Sequence, residues 1–157
     1  MAEMGDIMRA ECYEATTEAE RHLRDLLDEL PRMQRVQEQL ETHREACRIV
    51  SKYQCVDDLE GDIEQLEAKD PLRCGIDPGL MSTLLQEKRS ALKRERARFD
   101  HDLGRSPFDG LPHAVRSRLP EQTALSLEAE LNRYREDYAY TLARCQSEAA
   151  GAGLAVH

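Results

Sequence analysis

The stretch AERHLRDLLDELPRMQRVQEQLETHREACRIV, residues 19–50, decides the fold of this 157-residue chain. Its apolar residues recur mostly at steps of three and four, with charged and amide side chains between them, and His43 fills the gap in the series. The series is Ala19, Leu23, Leu26, Leu30, Met33, Val36, Leu40, Cys47 and Val50. This spacing is typical of long amphipathic helices that bury a narrow stripe and leave the rest in water. It predicts an all-α fold: an elongated antiparallel helical bundle or coiled coil of three to four helices.

The composition also favours a thin helical protein over a compact globule. Charged residues make up 34% of the chain and aromatic residues 4%, a smaller aromatic share than a globule of this size usually has. The net charge of -9 argues against nucleic acid as a ligand, because phosphate binding relies on clustered Lys and Arg. No stretch approaches the roughly 18 apolar residues of a membrane-spanning helix. We therefore predict a cytoplasmic protein, with cytoskeletal association as one option, that binds no nucleic acid and inserts into no membrane.

The helix breakers divide the sequence into four predicted helices. These helices cover residues 6–30, 32–68, 79–103 and 121–149, within a single unit over 1–149 that is followed by a flexible tail at 150–157. Pro31 is predicted to kink or break the helix at the first boundary, because proline lacks a backbone N–H and disfavours helical geometry in the residue before it. Two Asp-Pro steps and two glycines within residues 69–79 predict a hinge.

Two complementary charge runs predict how the middle helices pair. Seven acidic residues lie between Asp57 and Asp70, and six basic residues lie between Lys88 and Arg98. A hinge near residue 74 would set these runs side by side in an antiparallel hairpin, with residue 60 beside residue 89. The predicted contacts join Lys88, Arg89, Lys93 and Arg94 to Asp57, Glu60 and Glu64. The alternative is that the basic run binds an acidic partner, which makes Lys88, Arg89 and Arg94 candidate binding residues.

The last predicted helix has the most regular apolar stripe. Its members, Leu127, Leu131, Tyr134, Tyr138, Leu142, Cys145 and Ala149, average about 3.7 residues per step. That average is closer to a straight helix than to a strict left-handed coiled coil. We expect the residues from Leu127 to Leu142 in this series to be the most buried, and we count them as candidate partner-binding residues.

The segment 104–119 is unusually apolar for a connector. It carries Phe108, Leu111, Val115 and Leu119 between its prolines, and a short turn of helix is predicted at 113–118. The segment either folds back as a lid on the helices or offers an apolar docking element. We favour the lid, and we retain Phe108, Leu111 and Val115 as candidate partner-binding residues.

Metal and catalytic signals are weak or absent in the sequence. His43 and Cys47 lie one helical turn apart, but a zinc site requires four well-placed ligands. The stretch 56–67 resembles a calcium loop in part but lacks its first aspartate, so it is interpreted as an acidic helix surface. The odd number of cysteines and the lack of a CxxC motif favour reduced, buried thiols. Cys12, Cys47 and Cys145 occupy positions that fit the apolar spacing of the predicted helices. No phosphate-binding glycine loop or hydrolase signature occurs, so we predict no enzymatic activity, no metal and no cofactor.

These patterns together predict an interaction protein. We expect a non-catalytic coiled-coil structural or adaptor subunit of a cytoplasmic or cytoskeletal multiprotein assembly. Its partners would be other coiled-coil or helical proteins, or further copies of itself. The alternative is a self-contained helical-bundle binding module, a chaperone or regulator, that captures a partner through the apolar segment 104–119. A more distant alternative is a metal-responsive switch that uses the acidic run or the His43 and Cys47 pair.

Overall fold

The structure, a computed structural model, describes residues 2–154 and the side chains of residues 18–151. Within these limits the chain forms helices and no strand, which confirms the all-α class. The helices are α1 (Ala2–Ala68), α2 (Pro71–Cys74), α3 (Pro78–Gly104), α4 (Leu111–Arg116) and α5 (Glu121–Leu154). Residues 150–154, predicted as part of the tail, thus belong to α5, and residues 155–157 lie outside the described range.

The contacts divide the chain into two compact units, where the sequence pattern predicts one helical unit over 1–149. The terminal unit comprises Met1–Leu40 and Pro120–His157, and the central unit comprises Glu41–Leu119.

The terminal unit is built on an antiparallel pairing of α1 with α5. Its buried core consists of Leu26, Met33, Val36, Leu40, Leu131 and Tyr134. Side-chain contacts set the direction: His22 lies 3.0 Å from Asp137, and Arg32 lies 2.6 Å from Glu130. Residue numbers rise along α1 as they fall along α5, so the two helices run in opposite directions.

Burial along α5 corrects the predicted apolar stripe. Leu131 and Tyr134 are buried as expected, but the next buried residue is Thr141, at 2% exposure, while Leu142 is only half-buried. With Thr141 included, the steps alternate strictly between three and four along Ala124, Leu127, Leu131, Tyr134, Tyr138, Thr141 and Cys145. This alternation is the heptad spacing of a coiled-coil seam. The average of about 3.7 arose from taking the exposed Ala149 as the last member, because the heptad step after Cys145 falls on the half-buried Glu148.

The first helix continues through Pro31, so of the two predicted alternatives the break does not occur. The proline lies inside α1, on the exposed side of the helix. Proline leaves the carbonyl of Leu27 without its helical N–H partner, but Leu27 is itself 44% exposed, so water can reach this side of the helix. On the other side, Leu26 and Met33 are buried against α5. Packing of the apolar stripe therefore offsets the local cost of the proline.

Pro31→Ala should stabilise the chain, because alanine restores the missing backbone hydrogen bond at an exposed position. An interior proline costs about 3 kcal/mol relative to alanine, and we expect a gain of about 1 to 3 kcal/mol in the free energy of unfolding. Chemical denaturation followed by circular dichroism measures it. The exposed substitution Gln39→Ala serves as a control and should change the stability by less than about 0.5 kcal/mol. A loss of stability in Pro31→Ala would contradict this account.

The central unit joins the second part of α1 to α3 and α4. Its buried core consists of Ala46, Ile49, Val56, Phe99, Phe108 and Ala114. Ala46 and Ile49 are fully buried, whereas Cys47 and Val50, which the apolar series selected, are only half-buried. The seam of α1 here follows Ala46, Ile49, Tyr53 and Val56 in steps of three, four and three. This heptad spacing is also present in the sequence, but the predicted apolar series used Cys47 and Val50 instead.

Ion pairs confirm that the acidic run of α1 lies along the basic run of α3. Lys88 contacts Asp62 at 3.2 Å, Arg89 contacts Glu67 at 2.6 Å, and Arg96 pairs with Glu60. The individual partners differ from the prediction, because Glu60 faces Arg96 rather than Arg89. The partner of Glu60 is thus seven residues later on α3 than predicted, and the partner of Asp62 one residue later.

The connector between α1 and α3 explains this shift. Asp70 caps α2 by accepting a hydrogen bond from the backbone N–H of Leu72 at 3.1 Å. Gly75 then ends α2 with a φ of 67°, a left-handed conformation that favours glycine. The chain reverses between Gly75 and the start of α3 at Pro78, not at residue 74, so the pairing is centred later in the sequence.

Candidate protein-binding surfaces

A groove of about 260 Å³ follows one flank of the α1–α5 pair in the terminal unit. We call it the terminal groove. Leu30, Met33 and Gln34 of α1 and Leu131, Tyr134 and Tyr138 of α5 line it. The structure thus brings three predicted candidates, Leu131, Tyr134 and Tyr138, together at one surface. The volume is below the roughly 300–1,000 Å³ of small-molecule pockets, so the groove suits a few side chains of a docking helix.

The other flank of the same helix pair is polar. The Arg32–Glu130 and His22–Asp137 pairs bridge the two helices there. Tyr134 reaches across the seam, and its hydroxyl donates a hydrogen bond to the carbonyl of Leu26. Burial raises the pKa of this hydroxyl, with smaller contributions from Tyr138 and Glu29, so Tyr134 stays a donor at neutral pH. The terminal unit therefore has one bridged flank and one flank with apolar surface.

A second groove, of about 790 Å³, lies beside α3 in the central unit. We call it the central groove. Its apolar floor is formed by Leu59 of α1 with Leu84 and Ala91 of α3, and Lys88 and Arg94 also line it. Two of the three predicted basic candidates thus lie at this surface, while the third, Arg89, pairs with Glu67. Leu59, Leu84 and Ala91 were not predicted, because the candidates on α3 were selected by their positive charge.

The apolar segment 104–119 folds back onto the central unit. Phe108 is 6% exposed and packs in the same cluster as Ile49 and Phe99, with Leu111 packed against that cluster. Val115 is 40% exposed. Phe108 is therefore buried within the central unit, as the lid interpretation of this segment expects. Leu127 and Leu142, the remaining apolar candidates, are half-buried on α5.

His43 holds the end of this segment. Its Nδ1 atom accepts a hydrogen bond from the backbone N–H of Leu119 at 2.8 Å, and Cys47 Sγ lies 3.6 Å from its Nε2 atom. One ring nitrogen is therefore engaged with the backbone. Across the side chains of 18–151, no group of three or more His, Cys, Asp or Glu is arranged to hold a metal ion.

The cysteines of the described side chains are free thiols. Cys47 and Cys145 are half-buried, while Cys55 and Cys74 are exposed. Only the first two therefore approach the burial that the sequence suggested. Cys12 lies outside the described side chains.

A charged cluster joins α1 to α3 near the core of the central unit. Lys52 donates a hydrogen bond to Asp102, and Arg48 lies 4.0 Å from the same carboxylate. The hydrogen bond from Lys52 is the main cause of a lowered pKa of Asp102, and the charges of Lys52 and Arg48 act in the same direction. Arg48 also lowers the pKa of Glu45 through a hydrogen bond. The cluster is a helix-to-helix anchor with all its charges paired.

Asp102→Asn should weaken the acid dependence of stability. Because the pKa of Asp102 in the folded chain lies below its ordinary value of about 3.9, its contribution is present above that value and is lost as the pH falls through the lowered pKa. The variant should melt at a lower temperature at pH 7 and show a shallower decline below about pH 4. Thermal melts across pH 2 to 7 measure this, with the exposed Asp100→Asn as control. Equal slopes in wild type and Asp102→Asn would refute it.

In the described part of the chain, no helix is long and apolar enough to cross a membrane. Comparison of the chain with protein-family models, curated proteins and solved structures gave no match.

Proposed function

We propose that this chain is a non-catalytic helical interaction protein that binds helices of partner proteins. In this proposal it is a coiled-coil structural or adaptor subunit of a cytoplasmic or cytoskeletal multiprotein assembly. The heptad spacing on α5 supports a coiled-coil arrangement. The observation that carries the proposal is the central groove. Its apolar side chains, Leu59, Leu84 and Ala91, lie beside the packed interface between α1 and α3.

The central groove has the features of a site for an amphipathic helix. Leu84 and Ala91 are seven residues apart on α3 and therefore lie on one stripe, with Leu59 of α1 beside them. Helix-in-groove recognition uses anchors spaced in this way on the partner. Ala91 is small, which allows a partner backbone to approach closely. Leu80, 54% exposed, lies four residues before Leu84 and extends the apolar stripe.

The charges beside the floor favour a partner helix with acidic residues on the borders of its apolar face. Arg94 lines the groove, and Lys88 lines it while contacting Asp62. Glu87 is the acidic residue among the lining side chains. Such charges contribute to partner choice and to association rate more than to affinity.

A matched pair of substitutions on α3 tests this proposal. Ala91→Arg fills the floor of the groove with a long charged side chain, whereas Ala97→Arg places the same side chain at an exposed position of the same helix. Tagged full-length chains are purified from cells, and the co-purifying proteins are quantified by mass spectrometry. Proteins that co-purify with the wild type and with Ala97→Arg should be recovered in at least tenfold lower amount with Ala91→Arg. The reason is that partner binding would bury the charge of the new arginine, which is strongly disfavoured. Equal capture by both variants would contradict the central groove as the binding surface.

The alternative function, a binding module that captures a partner through residues 104–119, has less surface to use. Phe108 is already enclosed by the central unit, and Val115 is the large apolar side chain of the segment that remains exposed. Val115→Arg separates the two proposals. Loss of partner capture with this variant, and retention with Ala91→Arg, would favour the module.

A further inference from the structure

Two histidine rings hold the segment 104–119 in its closed position on the central unit. His43 of α1 accepts a hydrogen bond from the backbone N–H of Leu119, with 2.8 Å between Nδ1 and the backbone nitrogen. His113 of α4 accepts one from the backbone N–H of Asp109 at 3.0 Å, again through Nδ1. The first bond fastens the end of the segment to α1, and the second shapes the turn that enters α4. Both rings are acceptors in these contacts.

A histidine ring can accept a hydrogen bond only while it is neutral. Neutral imidazole has one nitrogen without a proton, whereas imidazolium carries a proton on both nitrogens and can only donate. The charge of histidine ordinarily changes between pH 5 and 8, so mild acid removes the acceptor from both bonds. The closed segment therefore binds fewer protons than the released segment, and proton linkage requires that acid favour release.

The groups around His43 offer no replacement for the lost bond within the central unit. Its Nδ1 atom meets the backbone N–H of Leu119, and its Nε2 atom lies 3.6 Å from the thiol of Cys47 on the same helix. The charged residues next to His43 and Leu119 in the sequence are Arg44 and Arg118. Both are bases and provide no acceptor for a new proton on Nδ1. Protonation of His43 thus sets two N–H groups against each other.

At His113 the added proton has a partner. Oδ2 of Asp109 lies 3.9 Å from Nδ1, so the imidazolium can exchange the backbone N–H of Asp109 for its carboxylate. The ring of His113 also makes a T-shaped contact with Phe108, a buried residue of the segment. A movement of this ring towards the carboxylate therefore disturbs the packing of Phe108.

We propose that the segment 104–119 is an acid-released lid, closed while His43 and His113 are neutral and loosened when they are protonated. Release exposes Phe108 and Leu111, which pack in the core of the central unit when the segment is closed. This device is independent of the central groove. It provides a condition under which the segment presents the apolar surface that is otherwise enclosed.

Hydrogen exchange of the full-length chain, read by mass spectrometry between about pH 5.5 and 7.5, tests the lid. Protection is corrected for the intrinsic pH dependence of exchange. In peptides from 104–119 it should fall about fivefold or more from the higher to the lower pH, as expected for the loss of hydrogen bonds. Peptides from 81–99 of α3 are the internal control. They should change less than about twofold, because aspartate and glutamate ordinarily titrate at about pH 4, below this range.

Asparagine substitutions assign the effect to the two rings. The side-chain carbonyl of asparagine can accept a hydrogen bond as Nδ1 does, and it has no proton to gain in this pH range. Each of His43→Asn and His113→Asn should remove part of the pH dependence of protection in 104–119, and the double variant should remove it altogether. His101→Asn, the same change at an exposed histidine of α3, should keep the wild-type pH dependence.

Three results would overturn the proposed lid. The first is protection of 104–119 in the wild type that does not change with pH. The second is an equal fall in peptides from 81–99, which would mean that acid unfolds the central unit as a whole. The third is an undiminished pH dependence in both His43→Asn and His113→Asn, and these single variants decide the matter if the double variant does not fold.

The lid and the proposed function fail separately. Ala91→Arg should leave the pH dependence of 104–119 unchanged. A segment that ignores pH, together with Ala91-dependent capture of partners, would overturn the lid and leave the proposed function standing. A segment released by acid, together with equal capture by Ala91→Arg and Ala97→Arg, would support the lid and remove the central groove from the proposed function.

Discussion

Leu131→Asp is expected to unfold the terminal unit. Leu131 is 6% exposed and belongs to the cluster that contains Met33 and Tyr134. Burying a carboxylate among apolar side chains without a partner is strongly disfavoured, and we expect a loss of more than about 4 kcal/mol in the stability of this unit. Hydrogen exchange read by mass spectrometry should show lost protection in peptides from 18–40 and 121–141, while peptides from 41–119 remain protected.

Ala129→Asp is the control for this prediction. It introduces the same side chain two residues earlier, at an exposed position of α5. Exposed substitutions usually stay within about 0.5 kcal/mol, so this variant should exchange like the wild type. Normal protection in Leu131→Asp would mean that α5 does not depend on this seam.

Phe108→Ala is expected to cost the central unit about 3 to 5 kcal/mol, the usual loss when a buried phenylalanine is truncated. The side chain is 6% exposed, and its ring makes a T-shaped contact with the His113 ring at a centroid distance of 5.4 Å. Its removal leaves a cavity beside Phe99 and Ile49, which belong to the same cluster. Urea unfolding followed by circular dichroism measures the loss.

Val115→Ala provides the comparison within the same segment. Val115 is 40% exposed, so its truncation removes less buried surface and should cost under about 1 kcal/mol. Equal, small effects of the two substitutions would show that Phe108 contributes little to the core. Phe108 would then be available to a partner, and the docking interpretation of the segment would regain its support.

The long helical runs could be predicted because apolar spacing carries through most of the chain. The positions of α3 and α5 and the pairing of opposite charges between α1 and α3 follow from patterns visible in the sequence. Whether the helix continues through Pro31 could not be predicted in this way. A proline has the same local cost wherever it stands, and only the packing of Leu26 and Met33 against a distant helix decides whether the helix continues.

The seams were predictable only in part, because hydrophobicity and burial are different properties. Thr141 is buried while its apolar neighbour Leu142 is not, since the heptad position and not the side-chain type sets which residue faces α1. The grooves also depend on which side chains are exposed in the fold and not on hydrophobicity alone. Ala91 and Leu84 are unremarkable in the sequence, and they become a candidate surface only when Leu59 of α1 is placed beside them.

The hydrogen bond between His43 and Leu119 has a consequence for the order of folding. Contacts within the terminal unit join residues 98 to 115 positions apart, whereas the ion pairs between α1 and α3 join residues 22 to 50 positions apart. Closing a chain loop costs entropy that grows with the logarithm of its length. Because His43 and Leu119 stand at the two ends of the central unit, folding of this unit first would bring the ends of the long loop together. Removing the 76 residues between His43 and Leu119 from these separations shortens the effective loop roughly three- to fivefold and saves about 1 kcal/mol of closure entropy. The central unit is therefore expected to act as the nucleus that makes the long-range pairing of α1 with α5 kinetically accessible.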